Sequence, residues 1–435
     1  MLEIGVLRLH GAVQHYAWGG CDFIPGLLGI ANNERIPFAE LWMGAHPKGP
    51  ATANVAGIEI PLNLLIEEAP DKILGSTASA HFGGRLSYLL KVLDVAKMLS
   101  IQAHPNKKQA EEGFAHENAA GIDLQASGRN YQDDSDKPEV ALALTDFWML
   151  HGFRPLEQIA EMLRTVPELQ SIMPDFPERL ARTGNAAQAR RALLQELYRT
   201  VMTTPQDRAD LLLNTLIARL ASTDPSDKND PGYWAARASE TFHPVDGHCD
   251  RGIFSIYLLN LVHLRPGQGT FQSAGTLHAY LEGVTVELMA NSDNVLRGGL
   301  TPKHVDIPEL MRILSFESSL PLVMNGVQNG VHAGASEHVY QTPSDEFELT
   351  SINLEPGGQY LGNAVHGPDT LIVINGTAIL IANGQSTAFT RGTSIFVPFG
   401  THYALHASGD HAMLFKASVP SRAEFGPNDG SVSAK

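Results

Sequence analysis

The run Leu371-Ile-Val-Ile374, Asn375-Gly376, Ala378-Ile-Leu-Ile381, Asn383-Gly384 leaves the C-terminal part of this chain few ways to fold. Asn-Gly supplies the positive φ angles of a type I′ turn, so the short apolar segments around it read as successive β-hairpins. Ser394-Ile-Phe-Val-Pro398 and Ala412-Met-Leu-Phe-Lys416 extend the pattern toward a jelly roll. Everything after about 320 is expected to be β, with residues 426–435 a disordered tail.

Upstream, Ser87-Tyr-Leu-Leu-Lys-Val-Leu93 reads as a buried strand, residues 108–121 as a helix and 130–136 as a polar loop. Between 155 and 222 the pattern turns helical: Leu156, Ile159, Leu163, then Leu194, Leu197, Val201, then Leu213, Leu216, Ile217, Leu220. Pro205 separates the last two helices, because proline does not fit a helix interior. Residues 225–250 read as a return loop, and Ile253 to Leu264 as renewed strand. The expected division is therefore 1–150, a helical insertion at 151–247, a return at 248–320 and a C-terminal unit at 321–435.

The net charge of −16 argues against nucleic acid or an anionic membrane as the principal partner, since both reward a basic face. An anionic small molecule needs a local cluster of Lys and Arg. Two cysteines, Cys21 and Cys249, give no disulfide framework and fit a reducing compartment. Residues 1–20 lack the pattern of a secretory signal, and no apolar run is long enough to span a bilayer. A cytoplasmic protein is expected.

Four polar residues stand out as candidate metal ligands: Gln102, His104, Glu139 and His278. In extended chain, Gln102 and His104 project to the same side, about 7 Å apart. Two imidazoles and a carboxylate suit a divalent zinc that keeps room for substrate, and a glutamine oxygen beside them is unusual. Spacing alone leaves a second possibility, buried polar side chains that only satisfy hydrogen bonds. His402 and His406, or His243 and His248 near Cys249, lack a carboxylate at suitable spacing and are not expected to hold a second metal.

The residues around these ligands carry a resemblance. Met98-Leu-Ser-Ile-Gln-Ala-His-Pro-Asn-Lys107, Gly113-Phe-Ala-His-Glu-Asn118, Asp136-Lys-Pro-Glu139, His278-Ala-Tyr-Leu281, Glu287-Leu-Met-Ala-Asn-Ser-Asp-Asn294, Arg297 and Gly299-Leu-Thr-Pro-Lys303 are similar to class I phosphomannose isomerases. Gln14-His-Tyr-Ala-Trp-Gly19 and Glu40-Leu-Trp-Met-Gly-Ala-His-Pro47 extend the match toward the N-terminus. The resemblance implies a mainly β fold, with a cupin-like jelly-roll catalytic unit, an α-helical insertion and a second C-terminal jelly roll. It implies one zinc per chain on Gln102, His104, Glu139 and His278, and a monomeric enzyme interconverting mannose 6-phosphate and fructose 6-phosphate through a cis-enediol.

The same resemblance makes Arg297 the cation that stabilises developing charge and places Lys303 toward the substrate phosphate. Trp18, Lys91, Ser100, Tyr280 and Asp293 become pocket residues, as does Glu40. Glu287, Lys137 and zinc-bound water compete as the proton shuttle, and Lys137 alternatively serves as counter-ion to Glu139. Glu287 and Asp293 could instead be structural partners of Arg297. One departure concerns Asp136, where the family commonly has histidine. Two rival readings remain: a cupin dioxygenase, disfavoured by the Gln-x-His pair, and a catalytically silent sugar-phosphate binder.

Overall fold

The computed structural model describes residues 5–242, 247–330 and 333–420. His243 and the 426–435 tail lie outside them.

The catalytic unit is a ten-stranded antiparallel sheet whose path runs Leu259–Leu264, Phe147–Phe153, His278–Ala290, Tyr88–Val95, Glu40–Gly44, Ala12–Gln14. Ile101–Ala103, Glu139–Ala143, Gly269–Gln272 and Leu296–Gly299 attach beside that path, and His278–Ala290 pairs with four of its neighbours along its length. Strand alternation sorts the side chains. In Tyr88–Val95, Leu90 and Val92 pack on the second unit, while Leu93 and Val95 join Ala141, Ala143, Phe147, Met149 and Tyr280 on the inner side. Lys91 shares that inner parity.

The second unit pairs a nine-stranded sheet with a four-stranded one. The larger sheet also takes in Leu7–His10, Thr52–Val55 and Ile58–Pro61, so both ends of the chain build it. Leu41, Leu90, Val286 and Leu288 from the catalytic sheet share one core with Ile372, Phe396 and Phe415. The Tyr88 hydroxyl donates to the Pro368 carbonyl at 2.8 Å across the same seam.

The sequence expectation fails at three places. Asn383-Gly384 does turn a hairpin with both φ angles positive, joining Thr377–Ala382 to Gln385–Thr390. Asn375-Gly376 does not. The strand before it pairs in the large sheet and the strand after it in the small one, so this dipeptide is a crossing between layers. Residues 225–250 contain the helix Pro231–Thr241, capped by the Asp230 carboxylate on the Gly232 amide. Gly252–Leu258 is helix and only Leu259–Leu264 is strand; every residue of that helix is buried, which erases the periodicity that would reveal it.

The helical insertion holds Leu156–Thr165, Ala187–Thr203 and Gln206–Thr223, the last starting just after Pro205. Its apolar faces pack on the outer side of the catalytic sheet through Ile101, Ala103, Trp148 and Leu150. Those side chains alternate with Gln102, Met149 and His151, so burying one set against the helices turns the other set inward.

Candidate metal centre

Register brings the site together. His278 stands opposite His151 on one neighbouring strand and opposite Gln102 on the other, and Gln102 stands opposite Arg297. Directly opposed residues in an antiparallel pair point to the same face, so the row His151–His278–Gln102–Arg297 is set by backbone pairing alone. Arg297 lies on the short strand Leu296–Gly299.

Glu139 completes the cluster. Its Oε1 lies 3.4 Å from His104 Nε2 and its Oε2 3.3 Å from His278 Nε2, with all three residues buried. The other ring nitrogen of each histidine is spoken for: His104 Nδ1 meets the Asn294 carbonyl at 2.7 Å and His278 Nδ1 the Thr276 carbonyl at 3.1 Å. A ring that donates from Nδ1 presents a lone pair at Nε2. Two such lone pairs then face a carboxylate in a dry interior, an arrangement that calls for a cation between them. His104 Nε2, Glu139 Oε2 and His278 Nε2 are also buried without a hydrogen-bond partner among the described residues, and leaving such atoms unsatisfied costs about 1–3 kcal/mol each. The residues fit a divalent metal.

Electrostatics prepare the ligands. Burial, with Lys137 beside it, lowers the His104 imidazole to about 4, so the ring is neutral and able to ligate at pH 7. Burial works against the charge on Glu139, but Lys137 and His104 outweigh it and hold the carboxyl well below its usual range. Lys137 Nζ lies 3.1 Å from Glu139 Oε1.

The other expected site residues fall into separate groups. Lys91 is buried, with Nζ 3.0 Å from Glu287 Oε2 and 3.6 Å from Glu40 Oε2. The Tyr280 hydroxyl donates to Glu287 Oε1 at 2.7 Å, and the Trp42 indole donates to Glu40. Removing Lys91 alone would strand two buried carboxylates, at about 3–5 kcal/mol. Asp293 pairs with Lys48 at 2.9 Å and His46 at 3.4 Å; burial opposes its charge, but these partners hold its carboxyl well below the usual range. Neither Glu287 nor Asp293 is the structural partner of Arg297 that the sequence allowed. Arg297 has no ion-pair or hydrogen-bond partner for its guanidinium among the described residues, and its pKa is lowered by burial. Lys303 is exposed and lowered by burial and by Arg297, so the two cations lie near each other. Trp18 stacks on Tyr16 with centroids 5.9 Å apart and packs against the inner apolar set. Ser100 sits just before Ile101–Ala103, half-buried.

Several residues of the site were not found in the sequence. His46, Lys48, His151 and Gln272 sit in stretches whose motifs gave them no role. Only strand parity, Met149 to His151 and Thr270 to Gln272, would have turned the last two inward. His402 is exposed on the second unit, and the one group of His, Cys, Asp and Glu able to hold a metal among the described residues is His104–Glu139–His278. His248 meets the Asp210 carboxylate at 2.7 Å, a partner the sequence did not anticipate.

A buried cluster of two neutral imidazoles and one carboxylate, with two neighbouring cations that meet no carboxylate among the described residues, defines a mononuclear metal-dependent enzyme acting on an anionic substrate. Residues 6–156 match the model of the phosphomannose isomerase type I catalytic domain. The mannose-6-phosphate isomerase of Salmonella typhimurium is 37% identical over 391 residues, covering 90% of this chain and 94% of that protein. The Homo sapiens enzyme is 35% identical over 407 residues, covering 90% and 93%. The crystal structure of the Salmonella enzyme bound to fructose 6-phosphate and zinc superposes with a TM-score of 0.82 at 34% identity, over 96% of this chain and all of that one. The chain belongs to the type I phosphomannose isomerase family.

Proposed function

We propose that the protein is a zinc-dependent aldose–ketose isomerase interconverting mannose 6-phosphate and fructose 6-phosphate. The observation that carries this reading is the convergence of three buried ligand atoms beside an arginine, none of which meets a partner or counter-charge among the described residues. Zinc held by Gln102, His104, Glu139 and His278 would act as a Lewis acid on the neighbouring sugar oxygens without a redox step.

The chain's own side chains supply the rest. Arg297 lies one strand from Gln102 and is the fixed cation for charge that develops on oxygen as a proton leaves carbon. Lys303, near it and exposed, takes the phosphate end. Glu287 and Lys137 compete as the proton carrier between C1 and C2. Burial raises the Glu287 carboxyl against the pull of Lys91, which suits a group that must accept and return a proton. Asp136, in the place of the family's histidine, is raised by burial and by Glu346 to about 6. Trp18, Ser100 and Asp293 belong to the pocket wall, whereas Lys91 and Tyr280 act through Glu287.

The proposal includes a monomer working in the cytoplasm. Two cysteines without a disulfide support the compartment, and no described helix is long and apolar enough to cross a membrane. Net charge of −16 speaks against nucleic acid as partner. Incubating fructose 6-phosphate with the protein in heavy water tests the chemistry. Mannose 6-phosphate carrying deuterium at C2 is expected. Thermal stabilisation by the sugar phosphate with no product would leave a silent binder, and oxygen uptake would point to the dioxygenase reading.

A further inference from the structure

One more buried polar atom lies in the same interior. Gln272 ends the strand Gly269–Gln272 and is fully buried, and its Oε1 has no hydrogen-bond partner among the described residues. Its Nε2 donates to the Thr270 hydroxyl at 2.9 Å, which fixes the amide and turns the oxygen the other way. Gln272 stands directly opposite Glu139 in the antiparallel pair. Opposed residues have Cβ atoms about 5 Å apart on one face, and Glu and Gln side chains reach equally far. The neighbouring Phe271 carbonyl accepts from His151 Nε2 at 3.1 Å, and His151 is the strand neighbour of His278. The end of this strand is therefore held against the metal-ligand row from two sides.

A buried amide oxygen that lacks a donor is costly unless something positive reaches it. We infer that Gln272 contributes its amide oxygen to the metal centre as a further neutral oxygen, at the ion or one water away from it. A neutral oxygen adds a donor without adding charge, so the centre stays electrophilic while gaining affinity. This inference rests on the metal position proposed above.

The test uses the full chain with zinc, and again with cobalt in its place. Gln272→Leu and the closer-shaped Gln272→Met should each weaken zinc binding by about 10–100-fold in competition with a chelator, the range for residues that support metal ligands. The visible cobalt spectrum should shift in both. If one variant fails to fold, the other carries the result. Zinc affinity and cobalt spectrum both unchanged would overturn the inference, and so would a gain in thermal stability with unchanged affinity, which would mark Gln272 as an ordinary buried polar residue. His278→Ala, run alongside, separates the two ideas: if that variant keeps its zinc, the metal position itself is wrong.

Discussion

His278 and Glu287 lie an odd number of residues apart on one strand, yet both side chains face the interior of the catalytic unit. Simple alternation would send them to opposite faces. The register slips between Tyr280 and Glu282, and Gly283 follows with φ of 120°. Before the slip His278 and Tyr280 point inward; after it Glu287 does, close enough to accept from the Tyr280 hydroxyl. A bulge is the device that re-aims a strand in this way.

Gly283→Ala should therefore damage the site without touching it. A Cβ there would lie 2.4 Å from the Asp146 carbonyl oxygen, in a backbone conformation that L-residues avoid. We expect a stability loss of about 1–3 kcal/mol with reduced zinc content, read by thermal melting and elemental analysis. A wild-type melt with full zinc would show that the bulge is dispensable.

For Arg297→Ala, turnover should fall by about 10²–10³-fold while zinc content and melting temperature stay put, since the cation is aimed at transition-state charge. Steady-state kinetics decide. A rise in KM with turnover kept would reassign Arg297 to uniform substrate binding.

Asp136→Asn should change how stability depends on pH. The folded-state carboxyl titrates at about 6 against an ordinary 3.8. Between those values the folded protein keeps a proton that the unfolded chain has lost, so stability falls as pH rises through the window. Above it the cost is fully present. The variant should be more stable than the parent by about 1–3 kcal/mol at pH 7 and equal to it below pH 3.8. A stability difference that does not vary with pH would remove Asp136 as the titrating group.

His402→Ala and His406→Ala should leave zinc content and turnover near normal, with at most about 1 kcal/mol lost. Both lie on the strand His402–Ala407 of the four-stranded sheet, away from the His104–Glu139–His278 cluster. Loss of a metal equivalent in either would reveal a second centre.

Three of the four expected ligands, His104, Glu139 and His278, do come together, and it was the family resemblance of the runs around them, more than spacing, that made them legible. Lys137 lies beside Glu139, where the counter-ion reading of the sequence puts it. What the sequence could not carry is register. Nothing in the order of residues says that Arg297 pairs with Gln102, or that Gln272 pairs with Glu139, because pairing between distant strands is decided by the whole sheet. Asn375-Gly376 and Asn383-Gly384 look alike locally, yet only the second turns a hairpin; the first obeys the need to carry the chain between layers. The helix Gly252–Leu258 is buried on all sides and so reads as a strand. His46 and Lys48 were missed because their partner, Asp293, is remote in sequence.

The most direct test of the central claim is fructose 6-phosphate formation from mannose 6-phosphate, followed in a coupled assay before chelation, after it, and after one equivalent of zinc is returned. The account predicts activity that is lost and then restored, with His278→Ala inactive and poor in zinc throughout. Turnover that survives complete metal removal, or stoichiometric zinc retained by His278→Ala, would contradict it.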